Sequence, residues 1–269
     1  MRRQVIIRLR PVRNGELPEK ADLLTARRDR QLFLVFQPIV AVVDGRLRGF
    51  EALMRWQHPD FGEIPPSIFI PAAEASGLIG QVGEWALHDA CRQAASWPWT
   101  SQVSVNISAA HFQSADFPST VAAALAASGL PAERLELEIT ESLQLSASDR
   151  ILGSFDDLKA IGLRLTLDDF GAGWSSLDML RRFPFDGLKI DRSLVTDLSS
   201  NPRALAIVRS VLELARQLDM RVTAEGVEDV AQLQILRDLG CDQLQGFLVA
   251  RPQLEAVVPS RDHWPLRGD

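Results

Sequence analysis

From Val103 onward the chain alternates between short apolar segments with the spacing of strands and longer stretches with the spacing of helices. Strands are predicted near Val103–Ile107, Leu135–Ile139, Leu163–Asp168, Gly187–Ile190, Arg221–Ala224 and Gln243–Phe247. Helices are predicted over Ser119–Ser128, Ser148–Ile161, Ser175–Arg182, Pro202–Leu218 and Val227–Leu239. Upstream, the apolar run Leu32–Val43 reaches Asp44-Gly45, a dipeptide suited to a hairpin turn, and a return strand follows over Leu47–Met54. A helical piece, Ala21–Arg30, precedes the hairpin, and helices are expected at about Pro71–Gly77 and Val82–Ser96. Six alternating strands and two from the hairpin make about eight, which favours a closed (β/α)8 barrel within the α/β class. An open, doubly wound sheet is the competing arrangement.

A barrel of this kind needs a chain that can bury one large core. The 269 residues, 46% of them hydrophobic, meet that requirement and suit one large domain better than two small ones. A net charge of -6 argues against an electrostatic grip on a DNA or RNA duplex. The apolar run near the basic N-terminus, Val5–Ile7, is too short for a signal-peptide core, and no stretch of 18 apolar residues occurs. The expectation is a soluble, cytoplasmic chain with no membrane contact of its own. Cys91 and Cys241 lie far apart in sequence and read as two buried thiols in a reducing compartment. The first twenty residues read as an extension or linker, residues 21–255 as the folded domain and residues 256–269 as a tail.

The acids fall where the strands end. In LRLTLDDFGAGWSSL, Leu163–Leu177, a period-two strand finishes in Asp168 and Asp169, with Gly171 and Gly173 next. Adjacent side chains on a strand point to opposite faces, so two consecutive acids do not both belong to a core. They suit a metal or acid/base site, or else one caps a turn while the other is solvated. Other strand ends carry Glu51 and Arg55, Asn106 and Ser108, Glu138 and Glu141, Lys189 and Asp191, Glu225 and Glu228, and Gln245. In a barrel those ends converge on one mouth. Carboxylate and amide oxygens suit hard cations such as Mg²⁺ or Mn²⁺, whereas zinc favours His or Cys. The four histidines, His58, His88, His111 and His263, contain no close-spaced ligand pair. Crowded acids favour two ions over one, a pair suited to hydrolysis at phosphorus, with Lys189 balancing charge or orienting water. A third glycine is missing from Gly171-Ala172-Gly173 as a dinucleotide fingerprint, and neither a G-x-S-x-G elbow nor a Walker lysine loop is present.

Several segments resemble one family in order. They are FQPIV at Phe36–Val40, EALMRW at Glu51–Trp56, VNIS at Val105–Ser108, LEITES at Leu137–Ser142 and DDFGAGWSSL at Asp168–Leu177. KIDRSLV at Lys189–Val195, AEGVE at Ala224–Glu228 and QGFLVARP at Gln245–Pro252 complete the set. By these residues the chain is identified as a member of the EAL domain family of bacterial phosphodiesterases that hydrolyse cyclic di-GMP. The resemblance covers about Ala21–Pro252 and implies a modified TIM barrel whose first strand is antiparallel to the rest. It implies hydrolysis of cyclic di-GMP to linear pGpG by in-line attack of a metal-activated water, with two Mg²⁺ or Mn²⁺ ions. Glu51, Asn106, Glu138 and Asp168 then match the first metal's ligands, and Asp168 bridges to a second ion that Asp169 helps hold. Lys189 matches the lysine that contacts the nucleophilic water, and Glu225 matches a glutamate that is general base or second-metal ligand. Gln37, Arg55, Asp191, Glu228 and Gln245 match substrate-side or supporting positions, and Glu141 a glutamate that holds the loop after Asp169. Phe36, Trp174 and Phe247 stand where the family often has Tyr. The resemblance also implies a homodimer through Arg192–Leu198 and the loop after Asp169, and an upstream sensor as a partner. Because degenerate members lose ligands, a non-catalytic cyclic di-GMP receptor or a protein-interaction module is the alternative. Retention of every matched ligand favours the enzyme.

Overall fold

The computed structural model describes residues 23, 25–140, 149–172, 176–256 and 264, without the side chains of residues 149 and 176. Nine strands are found there: β1 (Leu32–Ala41), β2 (Leu47–His58), β3 (Gly62–Ile64), β4 (Gln102–Ile107), β5 (Leu135–Thr140), β6 (Arg164–Phe170), β7 (Gly187–Ile190), β8 (Arg221–Ala224) and β9 (Gln243–Leu244). Helices α1 (Pro66–Ala75) and α2 (Ile79–Ala95) lie between β3 and β4, α3 (Ala109–Phe112) and α4 (Phe117–Ser128) between β4 and β5, and α5 (Asp149–Ile161) between β5 and β6. The remainder are α6 (Ser176–Arg182), α7 (Arg192–Thr196), α8 (Pro202–Gln217) and α9 (Val230–Asp238).

The strands run in the order β1-β9-β8-β7-β6-β5-β4-β2, and β1 pairs with β2 to shut the ring. Neighbours are parallel around the ring except that β1 is antiparallel to both β2 and β9. The hairpin signal explains the exception. Gly45, at φ 68°, turns the chain, the Arg46 amide donates to Asp44 Oδ1 at 3.0 Å, and β2 returns beside β1. From β4 onward the strands of the ring follow one another through crossovers, which keep them parallel. Closure leaves no edge in the ring, and β3 pairs outside it, on the far end of β2.

Buried Leu, Val and Ile from the strands pack under the helices in one large cluster. A smaller cluster joins Leu23, Ala26, Trp56, Ile64, Phe69 and Val82. That second cluster accounts for a departure from the sequence expectation. The return strand is expected to end at Met54, yet Trp56 is fully buried, and β2 continues to His58 and pairs with β3. Helix α1 begins at Pro66 instead of Pro71, because Pro66 already fills the first-turn position that proline favours. Both cysteines are buried and unpaired by disulfides. Among the described residues no helix is long and apolar enough to cross a membrane.

Two shortened elements shape the mouth. Helix α9 starts three residues later than its pattern suggests, because Asp229 caps it: the Gln232 amide donates to Asp229 Oδ1 at 2.8 Å, and Gln232 Oε1 accepts from the Asp229 amide at 3.2 Å. Residues 225–228 are thereby left as loop. Strand β9 stops at Leu244, and Gly246 lies against the Val227 backbone, where any Cβ would overlap it. The Val227 amide donates to the Gln245 carbonyl at 3.1 Å, tying the two loops together.

Candidate active site

A cavity of about 1350 Å³ opens at the C-terminal ends of the parallel strands. Of the residues singled out in the sequence, Gln37, Glu51, Arg55, Asn106, Asp168, Asp169, Asp191, Glu225, Glu228 and Gln245 all line it. Glu138 and Lys189 lie beneath its floor, only 0% and 1% exposed. Glu141 and Trp174 fall outside the described residues.

Lys189 holds the floor together. Its Nζ donates to Glu138 Oε2 at 3.0 Å and lies 2.6 Å from Glu225 Oε1, 3.4 Å from Glu51 Oε2 and 3.4 Å from Asp168 Oδ1. These four acids come from β2, β5, β6 and the loop after β8, so positions far apart in the chain meet at one ammonium. Amides hold the rim. Asn106 Nδ2 donates to Glu51 Oε1 at 2.6 Å, and Gln245 Nε2 donates to Glu51 Oε2 at 2.6 Å and to Gln37 Oε1 at 2.9 Å.

The adjacent acids of β6 serve one site by a local irregularity. The β6–β7 register shifts between Leu167 and Phe170, and Asp169 takes φ 58°, the left-handed region that Asp tolerates better than most residues. This bulge cancels the alternation that would send the two side chains to opposite faces. Asp168, Asp169 and Glu225 each offer an oxygen within 4.8 Å of the others.

The protonation energetics follow from crowding. Burial opposes the charged form of Glu51, but Lys189 and the hydrogen bonds from Gln245 and Asn106 outweigh it and hold its carboxyl below the ordinary value. At Glu138, burial together with the charges of Glu51 and Asp168 prevails over Lys189, and its carboxyl rises well above the usual range. Burial likewise raises Asp168. Asp169 is pushed up to about 6 by burial and by Asp168 and Asp191, and Glu225 to about 8 by burial and by Asp168 and Glu51. Burial disfavours the Lys189 ammonium, yet Asp168, Glu138, Glu225 and Glu51 raise it well above its ordinary value.

The residues fit a hard divalent cation. Their donors are oxygens, Glu138 Oε1 and Gln245 Oε1 are buried without a hydrogen-bond partner, and the raised carboxyls carry more mutual repulsion than one ammonium relieves. Among the described residues no histidine lines the cavity: His58 Nδ1 accepts from the Asp60 and Phe61 amides, and His111 packs against Phe117.

Some lining residues escaped the sequence reading. Glu63 of β3 lies 3.7 Å from Arg55 Nε, and Arg251 sits 4.0 Å above the Phe247 ring. Arg192, Ser193 and Thr196 bring α7 to the cavity wall. Asp191 both lines the cavity and caps α7, accepting from the Ser193 amide at 2.9 Å. QGFLVARP carried the signal for Phe247 and Arg251, but Glu63 depends on the unforeseen β2–β3 pairing.

Comparison with known proteins places these residues in context. The model of the EAL domain family matches residues 20–252. MucR of Pseudomonas aeruginosa, a bifunctional diguanylate cyclase/cyclic di-GMP phosphodiesterase, is 43% identical over 237 residues, covering 86% of this chain and 34% of that protein. NbdA of the same organism, a cyclic di-GMP phosphodiesterase, is 40% identical over 254 residues, 93% of this chain and 32% of that protein. The solved structure of the PaMucR phosphodiesterase in complex with c-di-GMP superposes with a TM-score of 0.82 at 43% identity, covering 87% of this chain and 96% of that one. The chain spans about a third of the length of the curated relatives it matches.

Proposed function

The chain belongs to the EAL domain family, and from that membership we propose that it is a metal-dependent phosphodiesterase that hydrolyses cyclic di-GMP to linear pGpG. The convergence of four acids on Lys189 beneath a cavity large enough for a dinucleotide carries this reading. Glu51, Asn106, Glu138 and Asp168 would hold one divalent cation, and Asp168, Asp169 and Glu225 a second. Bound there, Mg²⁺ or Mn²⁺ ions supply Lewis-acid activation and neutralise phosphate charge.

The chain's own groups do the remaining work. Asn106 and Gln245 fix the Glu51 carboxylate from both sides, so its oxygens meet a ligand without reorganising. Lys189 and Glu225, 2.6 Å apart, flank the place for the attacking water: the ammonium orients it and the carboxylate takes its proton. Water adds at phosphorus, the bond to the ribose 3′ oxygen breaks, and a proton ends on that oxygen. Arg55 and Arg251 at the rim offer guanidiniums to the phosphodiester that is not cut.

The chain would act as a homodimer through α7 and the loop after Asp169, in the cytoplasm of a bacterium and under an upstream sensor. The larger size of its relatives supports the last point. Incubation with cyclic di-GMP and Mg²⁺ or Mn²⁺, followed by chromatography, should yield pGpG. Glu51→Ala should lower turnover by at least about a hundredfold, as expected for loss of a cation ligand. Tight nucleotide binding without turnover in either metal would establish the receptor instead.

A further inference from the structure

The opposite end of the barrel is also a cavity, about 1030 Å³, and its chemistry is reversed. Five arginines line it: Arg48, Arg134, Arg164, Arg221 and Arg237. Two acids, Glu133 and Asp242, share the lining, so the cavity is positive in a chain whose net charge is -6. Arg164 and Arg221 are the first residues of β6 and β8, and Arg48 is the second of β2, so the barrel itself aims them at its N-terminal end.

None of these arginines forms an ion pair within 4.0 Å among the described residues, although all but Arg48 are half-buried. Arg221 reaches across the barrel floor to Gln102 Oε1 at 3.3 Å, and Arg134 donates to the carbonyls of Ser101 and Ala94. Burial and the guanidiniums of Arg164 and Arg48 push Arg221 below its ordinary value, which Glu136 and Asp242 oppose without reversing. Holding unpaired guanidiniums in partial burial is unfavourable unless an anion joins them.

A second observation is independent of charge. Six buried side-chain polar atoms lack a hydrogen-bond partner among the described residues, and three of them, Trp99 Nε1, Ser101 Oγ and Arg237 Nε, belong to residues lining this cavity. In the acidic mouth the unpartnered atoms are acceptors, Glu138 Oε1 and Gln245 Oε1. Here Trp99 Nε1 and Arg237 Nε can only donate, and the Ser101 hydroxyl can donate as well as accept. Acceptors left over mark a cation site, and donors left over mark an anion site.

We propose that the N-terminal end of this barrel is a second binding site, for a small ligand carrying phosphate groups. Guanidinium forks match phosphate oxygens in pairs, and concave walls favour a small molecule over a flat macromolecular surface.

Calorimetric titration of the full chain in EDTA, which keeps divalent cations from the acidic mouth, tests this with inorganic tripolyphosphate and with GTP. Tripolyphosphate should bind at or below about 1 mM and weaken as salt is raised. Arg164→Gln and Arg221→Gln should each weaken it on the order of tenfold. Arg48→Gln, at an exposed position less able to disturb folding, should weaken it less, and Glu51→Ala should leave it unchanged. Tighter binding of GTP than of tripolyphosphate would add a contact to the base; equal binding would leave phosphate as the whole of the recognition. No binding up to about 10 mM, or affinity insensitive to all three arginine substitutions in folded protein, would overturn the proposal. Loss of binding in Glu51→Ala would overturn it too, by placing the ligand in the acidic mouth.

Discussion

Lys189 is the residue on which the acidic floor depends. It is the ammonium facing Glu51, Glu138, Asp168 and Glu225, of which all but Glu225 are buried. Lys189→Met should therefore destabilise the metal-free protein by about 3–5 kcal/mol, the usual result of stranding buried charge. Mn²⁺ should recover much of that loss, and thermal unfolding with and without the ion measures both effects. The pH dependence has a definite sign. Asp169 and Glu225 titrate at about 6 and about 8 in the folded protein, above ordinary carboxyls. Folding thus takes up protons in that range, and the stability these groups contribute is complete at low pH and lost as pH rises through 6 and 8. Glu51, with its lowered value, contributes stability that is complete near neutral pH and lost only as pH falls into the acid range. The metal-free chain should melt lower at pH 8 than at pH 5.5. Divalent cation binding near pH 7 should release protons, read as a calorimetric enthalpy that varies with the buffer. Glu51, Asn106, Asp168 and Lys189 were legible in sequence as polar residues within or near the ends of apolar strands. Their mutual distances were not, because pairing register and the bulge at Asp169 are properties of neighbouring strands.

At the scale of elements, the mouth is shaped by where helices and strands stop. Periodicity alone runs α9 back to Val227 and β9 on to Phe247, whereas capping by Asp229 and the close approach of Gly246 to Val227 end both early. The freed segments carry Glu225, Glu228 and Gln245 to the cavity. Gly246→Ala places a methyl group in the Val227 backbone and should force the two loops apart. We expect a loss of about 1–3 kcal/mol in stability, and a fall in turnover from displacement of Gln245 and Glu225. Unchanged turnover would show that the loops do not set the position of those side chains. The β2–β3 pairing was hidden for a related reason. Pro59, Gly62 and Pro65 are local turn signals, but burial of Trp56 in a cluster drawn from six separate segments decides the outcome.

The whole molecule is a ring with opposite chemistry at its two ends. Carboxylates and amides occupy the C-terminal ends of the strands, and arginines occupy the N-terminal end. The acids announced themselves as polar residues set into apolar strands or just beyond them, Glu51 within β2, Glu138 within β5 and Asp168 and Asp169 near the end of β6. Arg48, Arg164 and Arg221 stand one to a strand at or next to its first residue, and only the closed ring brings them together. The eight strands of the ring were legible, since hairpin and crossover connections leave local signatures, and their number favoured the closure that the β1–β2 pairing completes; the antiparallel first strand was what the family resemblance implied. The central claim is that acids distant in sequence grip divalent cations in one pocket with Asp168 between them. Titration of Mn²⁺ into the chain, with bound ion counted by electron paramagnetic resonance, tests it most directly. The account predicts about two ions per chain, both lost or severely weakened in Asp168→Asn. Failure to bind Mn²⁺, or binding that Asp168→Asn leaves intact, would contradict it.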